Sequence, residues 1–256
     1  MSQRVIFLGT GTSHGVPMIA CGCHVCSSIN PRNNRSRASI VIQNGEQALL
    51  VDTTPELRMQ AIKHGITRVD AVAFTHAHAD HIFGLDDVRR FNEIQDMEIP
   101  CFGHRQTLKV ISEAFRYIFV PTQTGGGKPR LSLELAADPF EAAGMTVTPI
   151  PVFHGRVRVL GYRIGDFAYI TDVSRIPPEA FDLIKGIDTL VLGVLRHTPH
   201  PTHFNLEQGL ALLEALKPRR AFITHISHEF DHDATNAILP PGVELAYDGM
   251  VLEIRS

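Results

Sequence analysis

The chain has 256 residues, enough for one large domain or two small ones with a buried core. A hydrophobic content of 44%, a charged content of 20% and a formal net charge of −3 fit an ordinary globular protein. They give it no general attraction to nucleic acid or anionic membrane. No apolar run approaches the ~18–20 residues of a membrane helix. The four apolar residues that precede the first glycine are too few for a secretory signal, so a cytoplasmic protein is expected.

The chain opens with a strand, Val5–Leu8, that runs into the glycine turn GTGTSHGVP. A polar, cysteine-bearing loop follows as far as Arg37. Ser39–Gln43 and Ala48–Val51 read as a hairpin turning at Asn44-Gly45. Thr54-Pro55-Glu56 supplies a cap, a proline at the first helical position and an early acid, and the helix should stop at Gly65. Ala71–Phe74 is a short buried strand, with THAHADH (Thr75–His81) as the loop at its end. A helix is expected from near Leu85 and another over Thr107–Phe119, followed by a glycine-rich loop, Thr122–Pro129. Met145–Val152, Val159–Ile164, Phe167–Thr171 and Thr189–Leu195 read as strands. Asn205 caps a helix with Leu206, Leu210, Leu213 and Leu216 at helical spacing and Pro218 as its stop. Ala221–Thr224 is a strand, and Val243–Tyr247 with Val251–Ile254 reads as a closing hairpin around Asp248-Gly249. Strands and helices alternate without an internal linker, so a single α/β layered domain over residues 1–256 is expected.

Two residue types are unusually clustered. Histidine occurs 14 times, and three of the four cysteines fall in Cys21–Cys26. In a reducing compartment this clustering points to metal rather than disulfides. His76, His78, Asp80 and His81 follow one strand. His154 follows another, Asp172 ends a third and His225 a fourth. Strand ends deliver side chains to one place, and crowding this many titratable groups is costly unless a cation neutralises them. Imidazole with carboxylate suits zinc, manganese or iron. Cys21, Cys23 and Cys26 can wrap a further zinc with one position left, for which His24, His228 and Cys101 are the candidates.

The HAHADH string, with His154, Asp172 and His225 in order behind it, resembles the metallo-β-lactamase superfamily. That resemblance implies an αββα sandwich, two mixed β-sheets flanked by helices, with two divalent metal ions between the sheets. It implies His76, His78 and His154 on the first ion, Asp80, His81 and His225 on the second, and Asp172 bridging them. Two ions ~4 Å apart can generate a hydroxide near neutral pH and stabilise both attacking and leaving oxygens.

Three further strings narrow the branch. ITHISHEFD around His225, the opening GTGTSHGVP and the closing YDGM (Tyr247–Met250) resemble the phosphoribosyl cyclic phosphodiesterase subgroup of the carbon–phosphorus lyase pathway. The resemblance spans nearly the whole chain. It implies His228 as fourth ligand of a structural zinc with Cys21, Cys23 and Cys26, and a homodimer. It also implies His203 as general acid on the leaving group. His203 and Asp80 are therefore the expected catalytic residues. His14 departs from the subgroup's turn, Arg35 and Arg37 are phosphate-binding candidates or structural residues, and His197 and His200 are weaker candidates at the pocket rim.

The leading expectation is a metal-dependent phosphodiesterase. It would act on a small phosphodiester such as a phosphoribosyl 1,2-cyclic phosphate or a cyclic nucleotide, with manganese or zinc in the site. Alternatives sharing the scaffold are a tRNA 3′-processing endonuclease, a thioester or lactam hydrolase, and an accessory protein of quinone-cofactor synthesis. The net charge of −3 disfavours a nucleic-acid partner.

Overall fold

Alternation along the strands sorts the side chains into layers. In the first strand Val5 and Phe7 face one way and Ile6 and Leu8 the other, and each pair joins a different apolar cluster. The structure, a computed structural model, describes residues 2–121 and 127–255. The strands in chain order are β1 (Ser2–Gly9), β2 (Ser39–Asn44), β3 (Gln47–Val51), β4 (Ala71–Ala73), β5 (Ile99–Gly103), β6 (Leu131–Leu135), β7 (Phe140–Ala142) and β8 (Met145–His154). They continue with β9 (Val157–Ile164), β10 (Phe167–Ile170), β11 (Thr189–Arg196), β12 (Phe204–Asn205), β13 (Arg220–Thr224), β14 (Val243–Leu245) and β15 (Val251–Arg255). The helices are α1 (Leu57–His64), α2 (Ala79–Ile82), α3 (Arg89–Gln95), α4 (Arg105–Ala114), α5 (Arg116–Phe119), α6 (Pro178–Ile184), α7 (Leu206–Leu216) and α8 (His232–Asn236).

Among the described residues the strands form two mixed sheets, in the orders β15-β1-β2-β3-β4-β5-β6 and β14-β13-β11-β10-β9-β8-β7, with β12 beside β11. Each sheet is antiparallel at one end and parallel at the other, the parallel pairs being β3/β4/β5/β6 and β10/β11/β13/β14. Phe7, Ile40 and Leu49 of the first sheet meet Tyr162, Phe167, Tyr169 and Phe222 of the second in the layer between them. The outer face of the first sheet packs on Leu57, Phe91 and Ile111 of α1, α3 and α4. The outer face of the second packs on Ala180, Ile184, Leu212 and Leu213 of α6 and α7. This is the expected αββα sandwich. Parallel neighbours present their C-terminal ends on one edge, and the loops leaving those ends carry the clustered histidines and aspartates.

Several expected boundaries move. The C-terminal hairpin does not form. β14 pairs parallel with β13 in the second sheet, whereas β15 pairs antiparallel with β1 in the first. The Asp248-Gly249 turn carries the chain from one sheet to the other. Asp248 fixes it by accepting from Thr10 Oγ1 at 2.8 Å and Ser36 N at 2.7 Å. The β2–β3 turn is Gly45-Glu46, one residue later than expected, because Asn44 still pairs with Gln47. α1 begins at Leu57 because Thr54 is buried and donates to Gln60 at 2.8 Å instead of capping the helix. The 107–119 stretch breaks at Phe115, whose ring is buried and whose backbone leaves the helical region at φ −110°. The helix expected near Leu85 starts as a 3₁₀ turn and becomes α-helical at Arg89. Of the glycine-rich loop at 122–129, residues 122–126 lie outside the described residues.

Candidate metal centre

The THAHADH segment is pinned between the two sheets. Leu160 N of β9 donates to Thr75 O at 3.0 Å, and Tyr162 Oη donates to Phe74 O at 2.6 Å. Beyond Thr75 the chain exposes His78 and turns into α2, which carries Asp80 and His81 on its first turn. His76 and His81 are buried, and His76 Nε2 lies 2.8 Å from His78 Nδ1.

The other three strand ends converge on the same point. His154 ends β8 and its Nδ1 donates to Thr202 O at 2.7 Å, which leaves Nε2 as the lone-pair nitrogen facing the site. Asp172 follows β10 and reaches His76 Nε2 at 3.8 Å, His81 Nε2 at 3.4 Å and His225 Nε2 at 3.3 Å. His225 follows β13, and Asp80 Oδ2 lies 3.9 Å from its Nε2 and 3.2 Å from His81 Nε2. Asp172 and His225 hold left-handed backbones at φ 47° and 58°. This conformation costs about 1–3 kcal/mol for a non-glycine residue and recurs at functional sites.

Asp52 is a member of the site that the sequence reading missed. It leaves β3 with φ 63°, is fully buried, and accepts from Thr75 N and Thr75 Oγ1, both at 2.8 Å. Its Oδ2 lies 2.7 Å from His81 Nδ1, which turns His81 Nε2 toward Asp80 and Asp172. The signal was available: an apolar strand ending in aspartate, ALLVD, matches the strand–Asp172 pattern. Asp52→Asn should weaken divalent-cation affinity about 10–100-fold, the usual effect of losing a ligand's outer partner. Metal titration of the variant checks it, and wild-type affinity would show that Asp52 orients nothing.

The donor set fits cations. His81 Nε2 and both ring nitrogens of His225 are buried without a hydrogen-bond partner among the described residues. The sets His76/His78/His154, His76/His81/Asp172 and Asp80/His81/His225 each bring their donor atoms within 4.8 Å of one another. Burial pushes His76 well down, reinforced by the charge of His81, so its ring is in the neutral form that ligates. Burial alone would raise Asp172 and Asp80, but the surrounding histidines outweigh it and hold both carboxyls well below their ordinary range.

His203 sits beside this group, its ring 4.4 Å from that of His154 and 4.9 Å from that of His225, on which it stacks. Burial, then the nearby His225, lowers it to about 3, so it rests as a neutral imidazole. His200 lies 5.1 Å further out.

The cysteine loop closes separately. His228 Nδ1 lies 3.3 Å from Cys21 Sγ, 3.3 Å from Cys23 Sγ and 3.6 Å from Cys26 Sγ. Tetrahedral zinc with bonds of ~2.3 Å to sulfur and ~2.0 Å to nitrogen sets such atoms roughly 3.5 Å apart. His24 is exposed and approaches Asp231 instead, at 3.7 Å, and Cys101 is buried in β5. Arg35 and Arg37 stand in the framework. Buried Arg35 bonds Thr10, Ala246 O and His232, while Arg37 pairs with Glu56 and donates to Ser13 O at 2.8 Å. His197 packs edge-on against Phe230 at 4.4 Å.

The chain is similar to known proteins. Residues 47–226 match the sequence profile of the beta-lactamase superfamily domain. The crystal structure of a new diphosphatase from the PhnP family superposes with a TM-score of 0.92 at 40% identity, covering 99% of this chain and 98% of that one. The chain belongs to the beta-lactamase superfamily and, within it, to the PhnP family. It is a metal-dependent hydrolase of the metallo-β-lactamase fold. It is also 36% identical over 253 residues to an octanoyltransferase of Porphyromonas gingivalis, covering 97% of this chain and spanning about half (51%) of that protein. Zn(2+)-bound PqqB from Methylobacterium extorquens shares the fold with a TM-score of 0.81 at 19% identity, covering 98% of this chain and all (100%) of that one. No helix among the described residues is long and apolar enough to cross a membrane.

Proposed function

We propose that this PhnP-family protein hydrolyses a phosphoric diester or diphosphate linkage in a small substrate, with manganese or zinc as its working ions. His76, His78 and His154 would hold one ion, Asp80, His81 and His225 the other, and Asp172 both. Such a pair, when bound, supplies Lewis acidity and an activated water nucleophile for in-line displacement at phosphorus.

The observation that carries this reading is the place of His203, stacked on one proposed ligand and 4.4 Å from another. A proton donor beside the ions is what a departing alkoxide or phosphate requires. Asp52 and Thr202 O hold His81 and His154 in the tautomers that ligate. Asp80 stays ionised, and the exposed face of His78 leaves the substrate a way in. His203, neutral at rest, gains its proton when an anionic phosphate lies against it, because an adjacent negative charge raises an imidazole pKa. Turnover of a substrate with a poor leaving group should therefore fall as pH rises past that raised value.

Hydrolysis of bis(p-nitrophenyl) phosphate with added manganese or zinc, beside a thioester control, tests the class. Cleavage of the thioester alone would defeat the proposal. His203→Ala should lower kcat by about 10²–10³ on a diester with an alkoxide leaving group, and much less where p-nitrophenolate departs, since that anion leaves unprotonated. Bound metal per chain should stay unchanged. Equal losses on both substrates would remove His203 from the acid role.

A further inference from the structure

His203 also lines a cavity of about 270 Å³, together with Ser13, His14, Arg196, His200 and Glu229 among others. We propose that Arg196 and His200 make this cavity a subsite for the departing phosphate, which fits the enzyme to a disubstituted diphosphate rather than to a cyclic phosphodiester. The inference rests on the phosphoric-hydrolase reading above and deepens it.

Position gives the first argument. The ring of His203 lies 4.4 and 4.9 Å from those of the proposed ligands His154 and His225, and 5.1 Å from that of His200 in the cavity wall. His203 thus borders both the proposed metal ligands and this cavity, so a group that leaves phosphorus toward the acid departs beside the cavity. The product of opening a cyclic diester keeps its leaving oxygen tethered to the same molecule. A diphosphate instead releases a separate, charged phosphate ester that needs a place of its own.

Chemistry gives the second. Arg196 ends β11, and its own loop holds the guanidinium: Nε donates to Thr198 O at 3.2 Å and Nη2 to Pro199 O at 2.8 Å. Among the described residues Nη1 has no hydrogen bond and the side chain forms no ion pair, so the fork is oriented with donors to spare. A planar, fixed guanidinium suits phosphate recognition. His200 Nδ1 accepts from Thr202 N at 3.3 Å and faces Thr202 Oγ1 at 3.2 Å. In a neutral ring this places the proton on Nε2, a second donor. Glu229 is the one acidic side chain of the lining. It is exposed and does not pair with Arg196.

Another part of the wall is tied down by backbone hydrogen bonds. Ser13 and His14 form a turn closed by Gly15 N to Thr12 O at 2.8 Å, and Thr12 N donates to Ile226 O at 3.0 Å beside His225. Pockets that bury a whole drug-sized ligand run to ~300–1,000 Å³. At about 270 Å³ this one has room for a phosphate with a small appendage.

The test compares kcat/KM for a dinucleoside diphosphate with that for bis(p-nitrophenyl) phosphate, using the metal-loaded full chain. Arg196→Gln and His200→Ala are each compared with the wild type. The ratio of the two substrates should fall at least tenfold in Arg196→Gln and severalfold in His200→Ala, through KM of the diphosphate. Binding of non-hydrolysable α,β-methylene-ADP, measured by calorimetry, should weaken at least tenfold in Arg196→Gln. An unchanged ratio with unchanged binding, or an equal loss on both substrates, would overturn the subsite. A wild-type enzyme that cleaves the diester and ignores the diphosphate would overturn it while sparing the phosphodiesterase reading. A wild type inert toward both would end both proposals.

Discussion

Asp172→Asn is expected to lower kcat/KM by about 10³-fold and to leave the protein short of at least one bound cation per chain. Three imidazole nitrogens, from His76, His81 and His225, lie within 3.8 Å of its carboxylate. Burial would favour the protonated acid, but the charges of His225 and His81 outweigh it and keep the group ionised. Asparagine has the same shape, accepts the left-handed backbone at φ 47° and can keep the contact with Thr171 Oγ1, now 2.7 Å. What it removes is the negative charge that the proposed bridging role requires. Charge stabilisation by such ions amounts to several kcal/mol, and each ~1.4 kcal/mol is tenfold in rate. Metal analysis of the purified variant, with kinetics at saturating manganese, decides it. Two ions per chain at wild-type affinity, with activity kept, would falsify the bridging role. A fold-wide explanation would instead appear as a lowered Tm, which the isosteric change should not cause.

The layers and the cluster of ligands were legible because they rest on local rules. Each proposed ligand lies at the end of a recognisable apolar strand or in the segment that leaves it, and strand ends on one edge of a sandwich must meet. His76, His78, Asp80, His81, His154, Asp172 and His225 are brought together as that rule requires. Asp52 escaped because its partner His81 is 29 residues away: ALLVD marks an aspartate at a strand end, but only the tertiary contact shows that it supports a ligand. The C-terminal hairpin failed for a related reason. Asp-Gly between two apolar runs is a sound hairpin signal, but Asp248 is claimed by Thr10 and Ser36, more than 200 positions earlier, and β1 takes the last strand. Arg35 and Arg37 show the limit of composition. An arginine beside a glycine turn reads as a phosphate ligand until its hydrogen bonds are counted, and those of Arg35 go to Thr10, Ala246 and His232. The cavity wall at His14 and Arg196 is tertiary in the same sense, joining the first turn to the end of β11.

Cys23→Ser should remove one zinc per chain and lower Tm by about 10 °C. Between Val16 and Asn34 regular structure is limited to one 3₁₀ turn, Pro31–Asn33, and Ile19 and Ile29 are 98% and 100% exposed, so apolar burial does little to hold this segment. Its closure depends on Cys21, Cys23 and Cys26 around His228, aided by backbone donors: Met18 N to Cys26 Sγ at 3.3 Å and Cys26 N to Cys23 Sγ at 3.4 Å. The Cys26 N–H stabilises the Cys23 thiolate and brings that thiol down to about 6, whereas burial pushes Cys26 up to about 11. Zinc binding must therefore displace a proton from Cys26, and the ion is expected to be lost as pH falls and the thiolates protonate. Structural zinc contributes folding energy directly. A net loss of roughly 3 kcal/mol, at about 2–4 °C per kcal/mol for a chain of this size, gives the stated shift. The damage should reach the metal centre, because His228 stands three residues beyond His225 and Ile226 N is tied to Thr10 O at 2.9 Å. Limited proteolysis should then cut between residues 18 and 30, and activity should fall with the zinc. A variant that keeps its full zinc content and its Tm would show that the three thiols hold no ion, and one that loses zinc but keeps full activity would sever the proposed link between the cysteine loop and His225.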